Sequence, residues 1–252
     1  MTYATVSCEG SRERNEDFVT VRAEEENLLL VVADGLGGHS KGEVASNLVA
    51  TTISEEMVFE EENVEESIKK AMKTAQERLL EKQTEEQEPN GMKTTAVTAA
   101  VVKGKLYMGH VGDSRGYVFL KNGKVRRTTD HSIPQLLALS GEIKEKDIRN
   151  HPQRSSLVRV FGVPWEREEY EFQSVLDMTE VKAILLCSDG FWELIHESRM
   201  KACMIGAKSA KQWLDRMRRV VERHGKGKQM DNYSAVAVLN RQTKETESDG
   251  EQ

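Results

Sequence analysis

The residues best suited to chemistry in this chain are acidic, and they recur where apolar segments stop. Glu16-Asp17 ends the run Arg12-Glu13-Arg14-Asn15-Glu16-Asp17, and Asp34-Gly35 closes the apolar stretch 28–34. Asp113 lies in Gly112-Asp113-Ser114-Arg115, Asp189-Gly190 follows Ile184-Leu185-Leu186, and Asp231-Asn232 precedes the apolar stretch 234–239. A hard divalent cation needs oxygen ligands converging from several segments, with glycine letting a backbone carbonyl approach the ion. One Asp-Gly alone is an ordinary turn. Several in one chain, each against an apolar segment, sit less comfortably with the turn reading alone.

The elements that must position these groups follow from hydrophobic periodicity. Residues 28–34 read as a buried strand that delivers Asp34 to its end, and 183–188 repeat the pattern for Asp189. Helical spacing runs through 42–59 and 64–82, with Ile68, Ala71, Met72, Ala75 and Leu79 on one stripe. The acidic cluster 55–66 at their ends reads as a solvated surface. Residues 94–102, 106–111 and 114–120 read as strands, with turns at Lys103-Gly104-Lys105 and Asn122-Gly123. Turns this short require antiparallel pairing. A helix is expected at 133–140 and an amphipathic one at 209–224, and a last strand at 234–239. The expectation is one α+β domain with antiparallel sheets over residues 1–240, followed by a polar, flexible tail at 241–252.

Composition removes other classes. The chain has 252 residues, 36 Lys+Arg and 42 Asp+Glu, so its net charge is -6; with 6% aromatics this argues against nucleic-acid binding. No apolar window is long enough for a membrane span, and the N-terminus lacks a secretory pattern. Three scattered cysteines, Cys8, Cys187 and Cys203, do not make a disulfide framework or a cysteine zinc site. These features together predict a cytoplasmic protein.

In order and spacing the motifs resemble the metal-dependent serine/threonine phosphatases of the PP2C (PPM) family, in compact bacterial form. The matching segments are Arg12-x-x-Asn15-Glu16-Asp17, Val32-Ala33-Asp34-Gly35-Leu36-Gly37-Gly38-His39, Lys93-Thr94-Thr95 and Gly109-His110-Val111-Gly112-Asp113-Ser114-Arg115. They continue with Thr129-Asp130-His131-Ser132, Asn150-His151-Pro152, Leu186-Cys187-Ser188-Asp189-Gly190 and Asp231-Asn232. The resemblance implies a sandwich of two antiparallel sheets flanked by helices, with Mn²⁺ or Mg²⁺ at one end. It implies that Asp34 bridges two ions, that Gly35 contributes its carbonyl, and that Asp189 and Asp231 hold one ion. Glu16 would serve the other with Asp17 close by, and Asp113 would help bind a third, weaker ion. Arg12 would grip the substrate phosphate, a task suited to its donor fork. The implied reaction is direct attack of a metal-activated water on phosphoserine or phosphothreonine. The implied partners are phosphoprotein substrates and a serine/threonine kinase or partner-switching regulator, acted on by a monomer. Residues 132–160 correspond to the family's variable flap.

Two positions depart from the pattern. Leu36 stands where some eukaryotic relatives carry a histidine proposed as general acid, and Glu193 stands where aspartate is common. Three competing readings are weaker. Cys8 and Arg14 have the Cys-x₅-Arg spacing of a thiolate phosphatase, yet Glu9 and Glu13 fall inside the loop that would have to cradle phosphate. Gly35-Leu36-Gly37-Gly38 matches neither a dinucleotide fingerprint nor a P-loop. An inactive binding scaffold would be expected to lose its carboxylates, and Glu16, Asp34, Asp113, Asp189 and Asp231 are all present. His39, His131 and His151 are expected to serve hydrogen bonding, and Arg216, Arg218 and Arg219 a solvated helix face.

Overall fold

A computed structural model describes residues 1–36, 41–88, 91–166 and 170–240, with the backbone alone at 61 and 172–174. Gly37-Gly38-His39, Pro89-Asn90 and the expected tail at 241–252 lie outside the described residues. The strands are β1 (Thr2–Cys8), β2 (Asp17–Glu24), β3 (Asn27–Asp34), β4 (Ala96–Val102), β5 (Lys105–Val111), β6 (Arg115–Leu120), β7 (Val125–Arg127), β8 (Glu171–Asp177), β9 (Val181–Cys187) and β10 (Tyr233–Leu239). The helices are α1 (Gly42–Glu56), α2 (Val64–Glu85), α3 (Ile133–Leu139), α4 (Asp189–Trp192), α5 (Glu197–Met204) and α6 (Ala210–Gly225). Among the described residues no helix is long and apolar enough to cross a membrane.

Among the described residues the strands form two five-stranded antiparallel sheets, in the orders β1-β10-β9-β6-β7 and β2-β3-β4-β5-β8. The fold is an α+β sandwich. Leu30, Val32, Val97, Val101, Val118, Ile184, Leu186, Val236 and Val238 fill the space between the sheets. The opposite face of the second sheet, through Leu29, Val31 and Ala33, packs against Val49, Ile53, Ile68, Met72 and Leu79 of α1 and α2. The opposite face of the first meets Trp213, Leu214, Met217 and Val221 of α6. Strands buried on both faces read as continuous apolar runs, which is why 28–34 and 234–239 are so apolar.

The β4–β5 turn places Lys103 and Gly104 in the left-handed region (φ 47° and 75°), the conformation of a type I′ hairpin. The next short connection does something else. Gly112-Asp113-Ser114 carries the chain from β5 in one sheet to β6 in the other, so these strands do not pair. Gly112 makes the crossing possible at φ 100°, and a Cβ there would sit 2.5 Å from the Thr95 side chain. The connection from β1 to β2 also changes sheet. Both crossings contribute acidic residues to the same end of the sandwich.

Candidate active site

Asp17 opens β2 and Asp34 closes β3, and the two are direct partners in the antiparallel register. Asp189 begins α4 immediately after β9, and Asp231 lies just before β10, which pairs with β9. Asp34 feels the charges of Asp17, Asp189, Asp113 and Asp231, so the structure brings these five carboxylates into one electrostatic unit. Glu16 stands at the edge, half-buried, beside Glu43 of α1. Residues from 17 to 231 therefore meet because two sheets end together.

Local hydrogen bonds fix this geometry. The Gly35 N–H donates to the Glu16 carbonyl at 3.0 Å, while Thr95 N–H and the Thr94 hydroxyl donate to the Asp34 carbonyl at 2.9 and 2.8 Å. A Cβ at Gly35 would meet the Gly42 carbonyl oxygen at 2.4 Å and that of Glu16 at 2.7 Å, so only glycine fits. Asn232 ties the opposite side: its Nδ2 donates to the carbonyls of Glu9 and Arg14, and its Oδ1 accepts from the Glu16 N–H. The sequence motif contains Asn232 but offers no sign of this bracing role.

The electrostatics describe a site short of positive charge. Burial, then the neighbouring aspartates, hold Asp34 well above the usual carboxylate range. Burial does the same to Asp113, followed by Asp189 and Asp130. Asp17 is pushed up to about 7 by burial, against the Ser188 hydroxyl that pulls it down. Asp189 rises to about 6 through burial and Asp231. Asp17 accepts the Ser188 hydroxyl at 2.7 Å on Oδ2, while its buried Oδ1 has no hydrogen-bond partner. An orphaned buried carboxylate oxygen among further carboxylates, with an all-oxygen donor set, fits a hard divalent cation.

Asp34, Asp189 and Asp231 face a cleft of about 1110 Å³, also lined by Arg12, Arg14, Glu16, Gly35 and Lys93. Arg12 sets its fork on Asp231, with Nε and Nη2 at 2.9 and 2.7 Å from the two carboxylate oxygens. Glu193 accepts Arg154 Nε at 2.8 Å, and burial with Asp189 nearby lifts it to about 7. Asp113 is held from behind, where the fully buried Trp192 donates Nε1–H to its carbonyl at 3.0 Å.

His110, His131 and Glu171 form a separate group whose ligand-type atoms lie within 4.8 Å of one another. The two rings stack with centroids 4.6 Å apart and planes 21° apart, so their in-plane lone pairs run side by side without converging. His110 Nε2 donates to the Thr129 carbonyl at 2.7 Å, and His131 Nδ1 accepts the Gly112 N–H at 3.2 Å. These contacts hold the loop before Asp113, and burial lowers His110 to about 4.

The family model described as protein phosphatase 2C matches residues 6–235. The chain belongs to the protein phosphatase 2C family. It is 32% identical over 210 residues to the serine/threonine phosphatase stp of Listeria welshimeri, covering 81% of this chain and 82% of that protein. Its fold is similar to the crystal structure of serine/threonine phosphatase Stp1 from Staphylococcus aureus, with a TM-score of 0.86, 26% identity and 96% of each chain covered. It is also similar to the catalytic domain of PstP in complex with two manganese ions, with a TM-score of 0.79, 25% identity and coverage of 95% and 98%.

In this phosphatase 2C chain Cys8 sits half-buried on β1, and its neighbour Glu9 uses its carbonyl to accept from Asn232. No phosphate cradle surrounds it among the described residues. Cys8→Ser is therefore expected to retain activity within about twofold, measured as phosphate release before and after thiol alkylation. Cys187, buried in β9, is pushed far above the usual thiol range and is inert by the same argument.

The raised carboxylates give a linkage prediction. In the metal-free phosphatase 2C domain, Asp17, Asp34, Asp113, Asp189 and Glu193 keep protons at pH values where the unfolded chain has released them. More protons on the folded state mean that stability falls as pH rises, here through the window from about 4 to 7. His110 opposes this between about 4 and 6.5, and the lowered Glu171 opposes it at the acid end, against Glu16 and the five carboxyl groups that push the other way. Chelator-treated protein should melt higher at pH 5.5 than at pH 7.5. Manganese should raise the midpoint more at pH 7.5, because the ligands must be deprotonated. Equal or reversed midpoints without metal would contradict this account.

Proposed function

We propose that this protein hydrolyses phosphoserine and phosphothreonine in phosphoproteins using Mn²⁺ or Mg²⁺ held at the carboxylate cluster. The observation that carries the reading is the convergence of Asp17, Asp34, Asp189 and Asp231, with the unpartnered Asp17 Oδ1, in a chain of this family. Asp34, the Gly35 carbonyl, Asp189 and Asp231 would hold one or both of two cations, with Glu16 and Asp17 on the other side. Asp113 would serve a third, weaker ion with Glu193 beside it. Bound cations lower the pKa of water and neutralise phosphoryl oxygens. Arg12 would orient the phosphate with two parallel N–H donors once Asp231 no longer takes its fork. No side-chain nucleophile is required.

In this reading residues 1–240 are the phosphatase unit, a monomer in the cytoplasm. It opposes a serine/threonine kinase or a partner-switching regulator and carries 241–252 as a polar extension. An inactive scaffold is the lesser reading, since the carboxylates and Arg12 are in place.

The test is phosphate release from a phosphothreonine peptide by metal-stripped protein with Mn²⁺, with Mg²⁺ and with chelator. Metal-restored, chelator-sensitive release supports the proposal, and chelator-resistant, alkylation-sensitive release sinks it. Replacing the fork by a point charge is informative as well. Arg12→Lys is expected to lower kcat/KM about tenfold or more, chiefly through KM, because an ammonium cannot span two phosphate oxygens. An unchanged KM would remove Arg12 from phosphate binding.

A further inference from the structure

One wall of the cleft, between residues 155 and 166, is rich in apolar side chains, with Ser155, Arg159 and Glu166 set among them. Leu157, Val158, Val163, Pro164 and Trp165 line the same space as Asp34, Gly35 and Asp231. Val158 and Val163 are 42% and 40% exposed, among the larger hydrophobic side chains left open to water. Scattered exposed valines need no explanation, but several apolar side chains gathered on one stretch of a charged cleft do.

The backbone beneath that face is fixed by unusual means. Gln76 and Gln83 of α2 are buried, and their amides reach across to this segment. Gln76 Nε2 donates to the Val163 carbonyl at 2.6 Å and its Oε1 accepts the Gly162 N–H at 2.9 Å. Gln83 Nε2 donates to the Gly162 carbonyl at 2.9 Å. Buried amides are costly unless bonded, and these two direct bonds to one stretch of the cleft wall. Thr94 pairs with both Gly35 and Phe161, linking the wall to the backbone that closes β3 at Asp34. The Val158 N–H donates to the His131 carbonyl at 2.9 Å, and Trp165 Nε1 to the Val160 carbonyl at 3.1 Å. The backbone that carries these apolar side chains is thus held in place before anything binds, which lowers the ordering cost of binding.

We propose that this wall is a substrate subsite that takes an apolar side chain flanking the phosphoserine or phosphothreonine. The inference rests on the phosphatase reading above. A phosphoryl group placed at the carboxylates leaves residues one or two positions away, roughly 3.5 Å per residue, within the same cleft. A leucine-sized side chain there covers Val158 and Val163, whereas a serine or aspartate leaves them wet. A hydrophobic pocket of this kind discriminates by roughly 10- to 200-fold.

Phosphothreonine peptides of equal length and charge, with leucine or serine placed in turn at the two positions on either side, test this with Mn²⁺ present. At least one position should favour leucine about tenfold in kcat/KM. In the Val163→Asp variant the ratio of peptide to p-nitrophenyl phosphate kcat/KM should fall about tenfold, because the small substrate has no flanking residue. Val163 is exposed and meets Gln76 through its carbonyl, so the substitution leaves the buried amide bonds available. Turnover of p-nitrophenyl phosphate with no leucine preference at any position overturns the subsite alone, as does an unchanged ratio in the variant. No turnover of any substrate by the wild type overturns the phosphatase reading and the subsite with it.

Discussion

Asp34→Asn is expected to lower kcat on a phosphothreonine peptide by roughly 10³-fold or more while raising the melting temperature of the metal-free protein. The two effects have one cause. Asp34 lies among Asp17, Asp189, Asp113 and Asp231, and burial with this like charge disfavours its ionised form. In the proposed role its charge would hold the cations, whose loss would forfeit several kcal/mol of transition-state stabilisation. Without cations the buried carboxyl must take up a proton to stay folded, and at neutral pH that uptake is a burden on the fold. Asparagine keeps the shape and offers an amide to Asp189, so the β3 end should be undisturbed. Each kcal/mol relieved raises the midpoint of a domain this size by about 2–4 °C. Calorimetry in chelator and kinetics in Mn²⁺ read the two halves separately. A variant that is both less stable without metal and still active would remove Asp34 from the metal site.

Asp130→Ala carries the largest expected loss of stability, about 3–5 kcal/mol. Arg115 and Asp130 are 4% and 1% exposed and meet through two hydrogen bonds of 2.8 and 2.5 Å. Arg127 approaches the same carboxylate at 3.1 Å. Removing one partner of a buried pair leaves an uncompensated charge, which costs far more than the pair contributes. The Arg115 guanidinium lies 3.4 Å from the centre of the Trp192 ring, and Trp192 holds the Asp113 carbonyl. Loosening Asp130 should therefore also disturb the Asp113 turn. Denaturant unfolding should show the loss, and Arg115→Met in the Asp130→Ala background should recover much of it by making the site apolar. Failure to recover would mean that the arginine is not the source of the cost.

The sandwich was partly legible in the sequence, for identifiable reasons. β3, β4, β5 and α6 announce themselves because both-face burial gives unbroken apolar runs and one-face burial gives a 3.6-residue stripe. α1 and α3 end at Glu56 and Leu139, slightly before the expected limits of 59 and 140, while α2 extends to Glu85. β1, β2 and β8 were not anticipated as strands. β1 and β2 are largely half-buried or exposed, and β8 pairs with β5 through an irregular register, so pattern reading has little to grip. The short link at 112–114 resembles a hairpin in sequence but crosses between sheets, because only the third dimension separates β5 from β6.

The site divides similarly. The motif residues were visible as a series, yet nothing local distinguishes Asp34 and Asp189, which face the cleft, from Asp130, which balances a buried arginine. Thr94, Ser188 and Asn232 also belong to matching motifs, and their work is to hold backbone and carboxylates in place. That division depends on which side chains meet in the folded chain, as far apart as Asp17 and Ser188 or Glu16 and Asn232, which spacing cannot encode. The resemblance assigns Arg12 to phosphate, while in this structure its fork pairs with Asp231 across 219 positions, a contact that spacing does not encode.

The position of β10 has a consequence for biosynthesis. It is inserted between β1 and β9, with Thr2 opposite Leu239 and Ala235 opposite Cys187. A ribosome that has made everything up to residue 230 has released a chain whose first strand has no neighbour in its own sheet. Asp231 and Asn232 leave the exit tunnel just ahead of that missing strand, so the carboxylate cluster and the sheet are completed in a single event. Long-range closure of this kind is slow. During vectorial synthesis the second sheet with α1 and α2 can assemble early, while β1 and β9 wait with open edges that chaperones or stray strands can occupy.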